Sequence, residues 1–376
     1  MLRIFTNTLK SFFFFCSGII IKRKFDVVFY YPQHFNRGVN SENQYFKQLL
    51  QSCDTNNVTY IVFEEPDFTI KGKRNYKAIP FDFLYLFTLF LRKFYNREKP
   101  IQSTDQKIGR FIAKIFFKNL HFKSYITLSQ SMLSVFRGIN PNAILYDLQH
   151  GIIHNNKINY LVDGKAESNL VDNNVHLLLS GESYKNVLVS NEIGNYFQNH
   201  AFVVGSNIQS KNILHEKFNY NILITLQFTH DHTSEQNELF FAELYEFIRV
   251  SNKDINFYLK HHPRFNNEVD LSEILKQPNI NIAPSDINSC FDLCSLHATA
   301  YSTSTFDAAL LGIPTILIPS ESKFNYFQKD FNYPLNQSID NFKDNSFYRE
   351  KSKIIKEWAT AYYTTYNESK FLNLLR

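Results

Sequence analysis

The stretch ATAYSTSTFDAALLGIPTILIP, residues 298–319, decides the reading of the fold. It runs from an apolar strand (298–302) through a hydroxyl-rich turn into a short helix (305–311), then Gly–Ile–Pro and a second apolar strand (314–319). Ser302, Thr303, Ser304 and Thr305 fall where the strand hands over to the helix. Free backbone N–H groups point outward at such a place, and the hydroxyls add donors, so the turn suits a phosphate. The spacing also predicts local capping, with Ser304 as N-cap and Asp307 three residues on, and Gly312 just past the helix end.

Working outward, the same alternation recurs along the chain. Apolar strands are expected at 25–31, 59–64, 143–148, 175–180 and 201–206, then at 221–226, 255–260 and 280–283. Helical patterns lie between them, at 41–52, 105–119 and 235–251 among others. Near-continuous apolar strands alternating with helices predict parallel sheets covered on both faces. The elements form two sets, divided by the polar stretch 203–221. The expected organisation is a basic, apolar N-terminal segment (1–24), a first doubly wound domain (25–206) and a second (207–346). A C-terminal helix (347–376) is expected to pack back on the first domain. Ligands of doubly wound sheets bind outside the carboxyl ends of the strands.

Three motifs occupy such ends. In FYLKHHPRF (257–265) a strand stops at Lys260, His261, His262 and Pro263, which places a histidine where it can donate to an anion. In LYDLQHGIIHNN (145–156) a strand ends in Asp147, Gln149, His150 and Gly151, with His154 beyond. A histidine near its ordinary pKa of about 6.5 can take a proton from an attacking hydroxyl. Asp147 is the candidate to orient it, although alternation puts residues three apart on opposite faces of a strand. Thr225 and Gln227 follow the first strand of the second set, and His34 and Arg37 follow the first strand of the first set, so all four are candidate ligand contacts.

These motifs together resemble the bacterial GT-B glycosyltransferases of surface polysaccharides. That group includes sialyltransferases, Kdo transferases and the glycerophosphotransferases of teichoic acid. The resemblance rests on the His-Pro pair at 262–263, the Ser/Thr turn at 302–305 and the His-Gly pair at 150–151. Gln149 stands where the glycerophosphotransferases have Trp, and Asp307 stands where Glu is expected. The resemblance implies an α/β GT-B fold, two Rossmann-like doubly wound domains facing a central cleft. It implies His262 and the hydroxyl turn on the donor, in a donor domain (207–346), and His150 as base in an acceptor domain (25–206). Lys260, Thr225 and Gln227 are then candidate donor contacts, and His34 and Arg37 candidate acceptor contacts. It favours a cytidine-activated sugar, CMP-Kdo or CMP-sialic acid. A CDP-polyol phosphotransferase, a UDP-sugar 2-epimerase and a non-catalytic capsule-assembly protein stay open as alternatives.

Composition narrows the rest. The chain has 376 residues, of which 44% are hydrophobic and 20% charged, enough for two cores. The net charge of +5 is unevenly spread. Residues 1–24 hold five bases and no acid, and residues 71–123 carry a net +10. This predicts an anionic partner on the N-terminal side: an anionic glycan, a lipid-linked acceptor or the inner-membrane surface. The apolar runs at 11–21 and 83–91 are too short to span a bilayer, which needs about 20 residues. A cytoplasmic protein peripheral to the inner membrane is expected. Four cysteines without a CxxC pair predict neither a zinc site nor a disulfide framework. With no D-x-D, P-loop, GxSxG or HExxH, no metal, no further cofactor and no nucleic-acid partner is expected.

Overall fold

A computed structural model describes residues 2–36, 41–68, 74–95, 101–207, 212–229, 231–262, 265, 267–318, 326–335 and 338–376. The chain divides into two compact units. The first comprises Met1–Ile208 and Thr364–Arg376, the second Gln209–Tyr363.

The strands in chain order are β1 (Arg23–Pro32), β2 (Tyr60–Glu65), β3 (Ile79–Pro80), β4 (Leu120–Leu128), β5 (Ile144–Leu148), β6 (Leu161–Val162), β7 (Lys165–Ala166), β8 (Val175–Leu179) and β9 (Ala201–Val203) in the first unit. The second has β10 (Asn221–Thr225), β11 (Asn256–Lys260), β12 (Ile280–Ile282), β13 (Leu296–Thr299) and β14 (Thr315–Leu317). The first unit is built on a parallel sheet in the order β3-β2-β1-β4-β5-β8-β9; β6 and β7 form a separate antiparallel pair. The second is built on a parallel sheet in the order β12-β11-β10-β13-β14. Both orders reverse once, between β1 and β4 and between β10 and β13. A reversal opens a crevice at the carboxyl ends of those strands.

The central strands are apolar because helices cover both their faces. On one face of the first sheet the rings of Phe15, Phe63, Phe81, Phe117 and Phe136 meet at centroid distances of 5.4–6.3 Å. Burial of one such ring stabilises by roughly 1.5–3 kcal/mol. Two helices, Ile101–Phe116 and Leu133–Ile139, cross at paired glycines. A Cβ on Gly109 would lie 2.1 Å from the Val135 carbonyl oxygen, and one on Gly138 2.2 Å from that of Gln106. This close approach holds the loop after β4 in place.

The structure differs from the sequence reading in several elements. β4 pairs directly with β1, yet no strand is expected there. Its first half alternates exposed His121 and Lys123 with buried apolar residues, and it follows a helix without a turn signal. The C-terminal segment is two helices, Asn345–Tyr362 and Glu368–Leu374. The first belongs to the second unit, where Trp358 stacks on Phe306 at 4.7 Å. Only the last thirteen residues join the first unit, with Phe371 buried in its core. The helix after the hydroxyl turn, Ser304–Leu310, starts one residue earlier than expected. Its N-cap is Thr303, in helical conformation and without a side-chain cap, so the expected Ser304–Asp307 capping box does not form. Gly312 does terminate it. With φ of +74° it lets its own N–H reach Ala309 O and the N–H of Ile313 reach Ala308 O.

Candidate active site

In the first unit the reversal point gathers residues from three strand ends. β1 runs into Gln33, His34 and Phe35, β4 into Ser129 and Gln130, and β5 into Gln149 and His150. His150 Nε2 lies 3.0 Å from Ser129 Oγ. Its ring is held edge-on by Phe35, at 5.2 Å between centroids, with Tyr45 at 6.5 Å. Nδ1 is buried beside the Leu148 carbonyl without a well-formed hydrogen bond. Burial, then the positive charges of Lys157 and His34, push the His150 pKa down to about 4. The imidazole is therefore neutral at physiological pH.

Ser129, Gln130 and Met132 all have φ near +55°, a left-handed conformation that non-glycine residues seldom adopt. Strain of this kind persists where surrounding contacts over-determine it. Here the Gln130 N–H donates to Asp147 Oδ1 at 2.8 Å, and the Ser131 carbonyl accepts from Tyr125 at 2.6 Å. A polar cavity of about 430 Å³ opens beside this loop, lined by Gln102, Ser129, Gln130, Ser134, Asn159 and Asn169 among others.

Several expected roles change. Asp147 does not orient His150. Its buried carboxylate takes the Gln130 N–H and, at 3.4 Å, the Tyr160 hydroxyl, and burial raises its pKa to about 7. Gln149 is buried and structural: its Nε2 donates to the Gly151 carbonyl and its Oε1 accepts the Ser180 N–H. Gly151 is exposed; a Cβ added to it would meet nothing within 4 Å, and its φ is not positive, so the turn does not require glycine. His154 Nδ1 accepts the Asn156 N–H at 3.3 Å and stabilises its own loop. His34 lies against Phe35 with ring centroids 4.3 Å apart and the planes tilted by 38°, and Phe35 also touches His150. Arg37 lies outside the described residues.

In the second unit the reversal point carries a chain of hydroxyls around His297, a residue the sequence reading passes over. His297 is fully buried on β13. Its Nε2 lies 2.9 Å from Thr225 Oγ1 and 3.2 Å from Ser304 Oγ, and its Nδ1 lies 2.9 Å from Thr315 Oγ1. Ser304 Oγ in turn donates to Ser302 Oγ at 2.7 Å. Thr299 ties the turn to β10 by donating to the Thr225 carbonyl at 3.0 Å and accepting the Ser302 N–H at 3.3 Å. Burial pushes the His297 pKa down to about 3, so a neutral imidazole orders the hydroxyls.

Thr225, Ser302 and Ser304 are thus brought together, with Thr303 exposed at the helix start. Thr305 is not part of that surface: it is fully buried and its hydroxyl has no partner. Lys260 is also diverted. Its ammonium donates to the carbonyls of Pro284 and Ser285 at 2.9 and 2.6 Å, fastening β11 to the loop after β12. Gln227 is half-buried, with its Nε2 donating to the Leu226 carbonyl. His262 is half-buried in the turn after β11, where its carbonyl accepts the Phe265 N–H at 2.9 Å. A concavity of about 920 Å³ in this unit, lined by Ile213, His215, Arg349, Lys353 and Lys356 among others, shares no residue with the hydroxyl cluster. Among the described residues no three His, Cys, Asp or Glu side chains are grouped as metal ligands.

No protein-family model matches the chain, and no curated protein does. Solved structures do. The UDP-GlcNAc 2-epimerase of Methanocaldococcus jannaschii matches 94% of this chain and 99% of its own, at 12% identity and a TM-score of 0.50. The wall teichoic acid polymerase TagF matches 100% of this chain and 96% of its own, also at 12% identity, with a TM-score of 0.50; a variant of it reaches 0.51. The chain has the GT-B fold. Likeness at this level of identity speaks for the fold, and the GT-B fold accounts for the two parallel sheets and their reversal points.

Proposed function

We propose that the protein is a GT-B transferase that moves a sugar from a nucleotide-activated donor to a cell-surface polysaccharide or lipid-linked acceptor. CMP-Kdo or CMP-sialic acid is the favoured donor. One observation carries the reading: the neutral His150, held by Ser129, and the hydroxyl chain around His297 each sit at the reversal point of their own sheet.

In this reading the first unit holds the acceptor, with the polar cavity beside Ser129 taking its hydroxyl groups. A proton on His150 Nδ1, beside the Leu148 carbonyl, leaves the Nε2 lone pair to take the acceptor proton. Ser302 and Thr303 donate to the leaving phosphate as its charge grows, the electrostatic service that a metal supplies elsewhere, with Ser304 orienting the Ser302 hydroxyl by donating to it. His262 keeps its proposed place as a donor contact. The histidine and the hydroxyls accelerate only if both substrates are held in register.

The likeness to the wall teichoic acid polymerase favours a second reading, a CDP-polyol phosphotransferase, in which the same hydroxyl attacks phosphorus. An epimerase would need an available carboxylate at a strand tip. Asp147 and Glu64 are buried and hydrogen-bonded, and Glu65 accepts from Tyr30 at 2.8 Å.

Thermal shifts with CMP, CDP, UDP and GDP test the donor assignment. A ligand at a hundred times its Kd stabilises by about 2.7 kcal/mol. Cytidine nucleotides should raise Tm in the wild type and in His150→Ala, but not in a Ser302→Ala/Ser304→Ala double variant. A shift with UDP alone, or one untouched by the double variant, would remove the reading.

A further inference from the structure

The first unit carries an apolar surface that its own fold leaves uncovered. The helix Leu2–Ser17 is apolar on two faces. One face buries Phe15 among Phe63, Phe81 and Phe117. The other turns outward with Phe5 62% and Phe13 65% exposed, and with Leu9 and Phe12 between them on the same stripe. The helix Asp82–Arg92 lies alongside. It adds Leu86 and Phe90, followed one turn on by Phe94, which is 71% exposed. Ring contacts join the two helices into one surface. Phe13 meets Phe12 at 5.7 Å, Phe12 meets Phe83 at 5.0 Å, Phe83 stacks on Phe87 at 5.9 Å, and Phe87 meets Phe111 at 6.3 Å. The turn after the first helix presents Ile19, Ile20 and Ile21, with Ile20 85% exposed. A contiguous exposed apolar surface of this kind marks an interaction site.

Its rim is basic. Exposed Lys10, Lys22, Lys24, Lys93, Arg110 and Lys114 stand among or directly beside these apolar residues. Among the described residues of these helices no unpaired carboxylate opposes them. Residues 2–24 contain no acid. The two acids of the helices Asp82–Arg92 and Ile101–Phe116 are both buried and paired, Asp82 with Arg74 at 2.7 Å and Asp105 with Arg92 at 2.7 Å. A second copy of the chain would bring this positive rim against its own like, which repels. A surface that is apolar at its centre and negatively charged around it is complementary.

We propose that this surface seats the protein on an anionic phospholipid bilayer, with the phenylalanine and isoleucine side chains in the acyl–headgroup boundary and the lysine and arginine side chains on the lipid phosphates. Helices of this type lie in the plane of the interface, and their binding combines buried apolar area with attraction to anionic lipid. The helix Leu2–Ser17 is about 24 Å long, short of a spanning length. Among the described residues no helix is long and apolar enough to cross a membrane.

The test is co-sedimentation of the full chain with vesicles of phosphatidylcholine alone or with 30 mol% (about one lipid in three) phosphatidylglycerol. The expected result is at least tenfold tighter binding to the anionic vesicles. A Phe5→Ser/Phe13→Ser/Phe90→Ser/Phe94→Ser variant should lose at least tenfold with its Tm unchanged, because these side chains are exposed. A Lys22→Glu/Lys24→Glu/Lys93→Glu variant should lose a comparable factor, and raised salt should weaken the wild type. No binding by the wild type would overturn the proposal. So would a serine variant that binds as tightly as the wild type, which would leave charge alone as the cause. A wild-type dimer dissociated by the serine substitutions would assign the surface to a second copy instead.

Discussion

Replacing His297 with glutamine should flatten the acid sensitivity of the second unit. The imidazole is fully buried among Thr225, Ser304 and Thr315 and has its pKa pushed down to about 3. The unfolded chain binds that proton at about pH 6.5, so between the two values the unfolded state holds more protons and stability falls as the pH falls. From pH 7.5 to 5.0 the loss for one such histidine is about 2 kcal/mol. That figure is an upper bound, because rearranged hydroxyls or entering water would ease the protonated state. Glutamine does not titrate and can donate and accept within the same hydroxyl chain. The assay is urea unfolding at the two pH values, followed by the fluorescence of Trp358. This is the only tryptophan in the sequence, and it stacks on Phe306 in the helix that follows the hydroxyl turn. The wild type should lose about 2 kcal/mol more than His297→Gln over this interval. Equal losses in the two proteins would mean that His297 is not held neutral by burial, and the account of the hydroxyl chain would fail with it.

Two further outcomes follow from the same geometry. Asp147→Asn should stabilise the first unit by about 1–3 kcal/mol at pH 8, because the carboxyl pKa, raised to about 7 by burial, makes its charged form costly. The gain should shrink as the pH is lowered toward 4, where the aspartate is protonated in the folded state and increasingly so in the unfolded one. Melting temperatures at pH 5 and 8 read it, and a destabilised variant at pH 8 would refute the burial argument. Gly312→Ala should cost about 1–3 kcal/mol, since φ is +74° and a Cβ would stand 3.0 Å from Ile213 Cγ1. Adding Ile213→Ala should recover only the steric part, and full recovery would show that the left-handed turn carries no strain.

Much of the architecture is legible in the sequence, because strands buried on both faces must be apolar and the helices between them must not be. β4 escapes that logic: its first half alternates charge with hydrophobe, like an edge, although it lies in the middle of the sheet. The site is legible in part. His150 and the 302–304 hydroxyls are visible because polar residues that end an apolar strand stand out. His297 is hidden because a lone histidine inside a strand reads as core, and its partners come from positions 225, 304 and 315. Ser129 is hidden because SQSM contains no glycine to announce its left-handed turn. Asp147 and Gln149 mislead for the opposite reason. They sit at a strand tip yet face inward, where Gln130 and Ser180 claim them.

The central claim is that a neutral His150 takes the acceptor proton, and the pH–rate profile of donor turnover tests it most directly. With the imidazole pKa near 4, kcat/KM should hold level from pH 8 to about pH 5.5 and fall below it. His150→Gln should lower the plateau by about 10²–10⁴-fold and leave the nucleotide thermal shift intact. A variant within tenfold of wild type, with the same acid limb, would contradict the assignment.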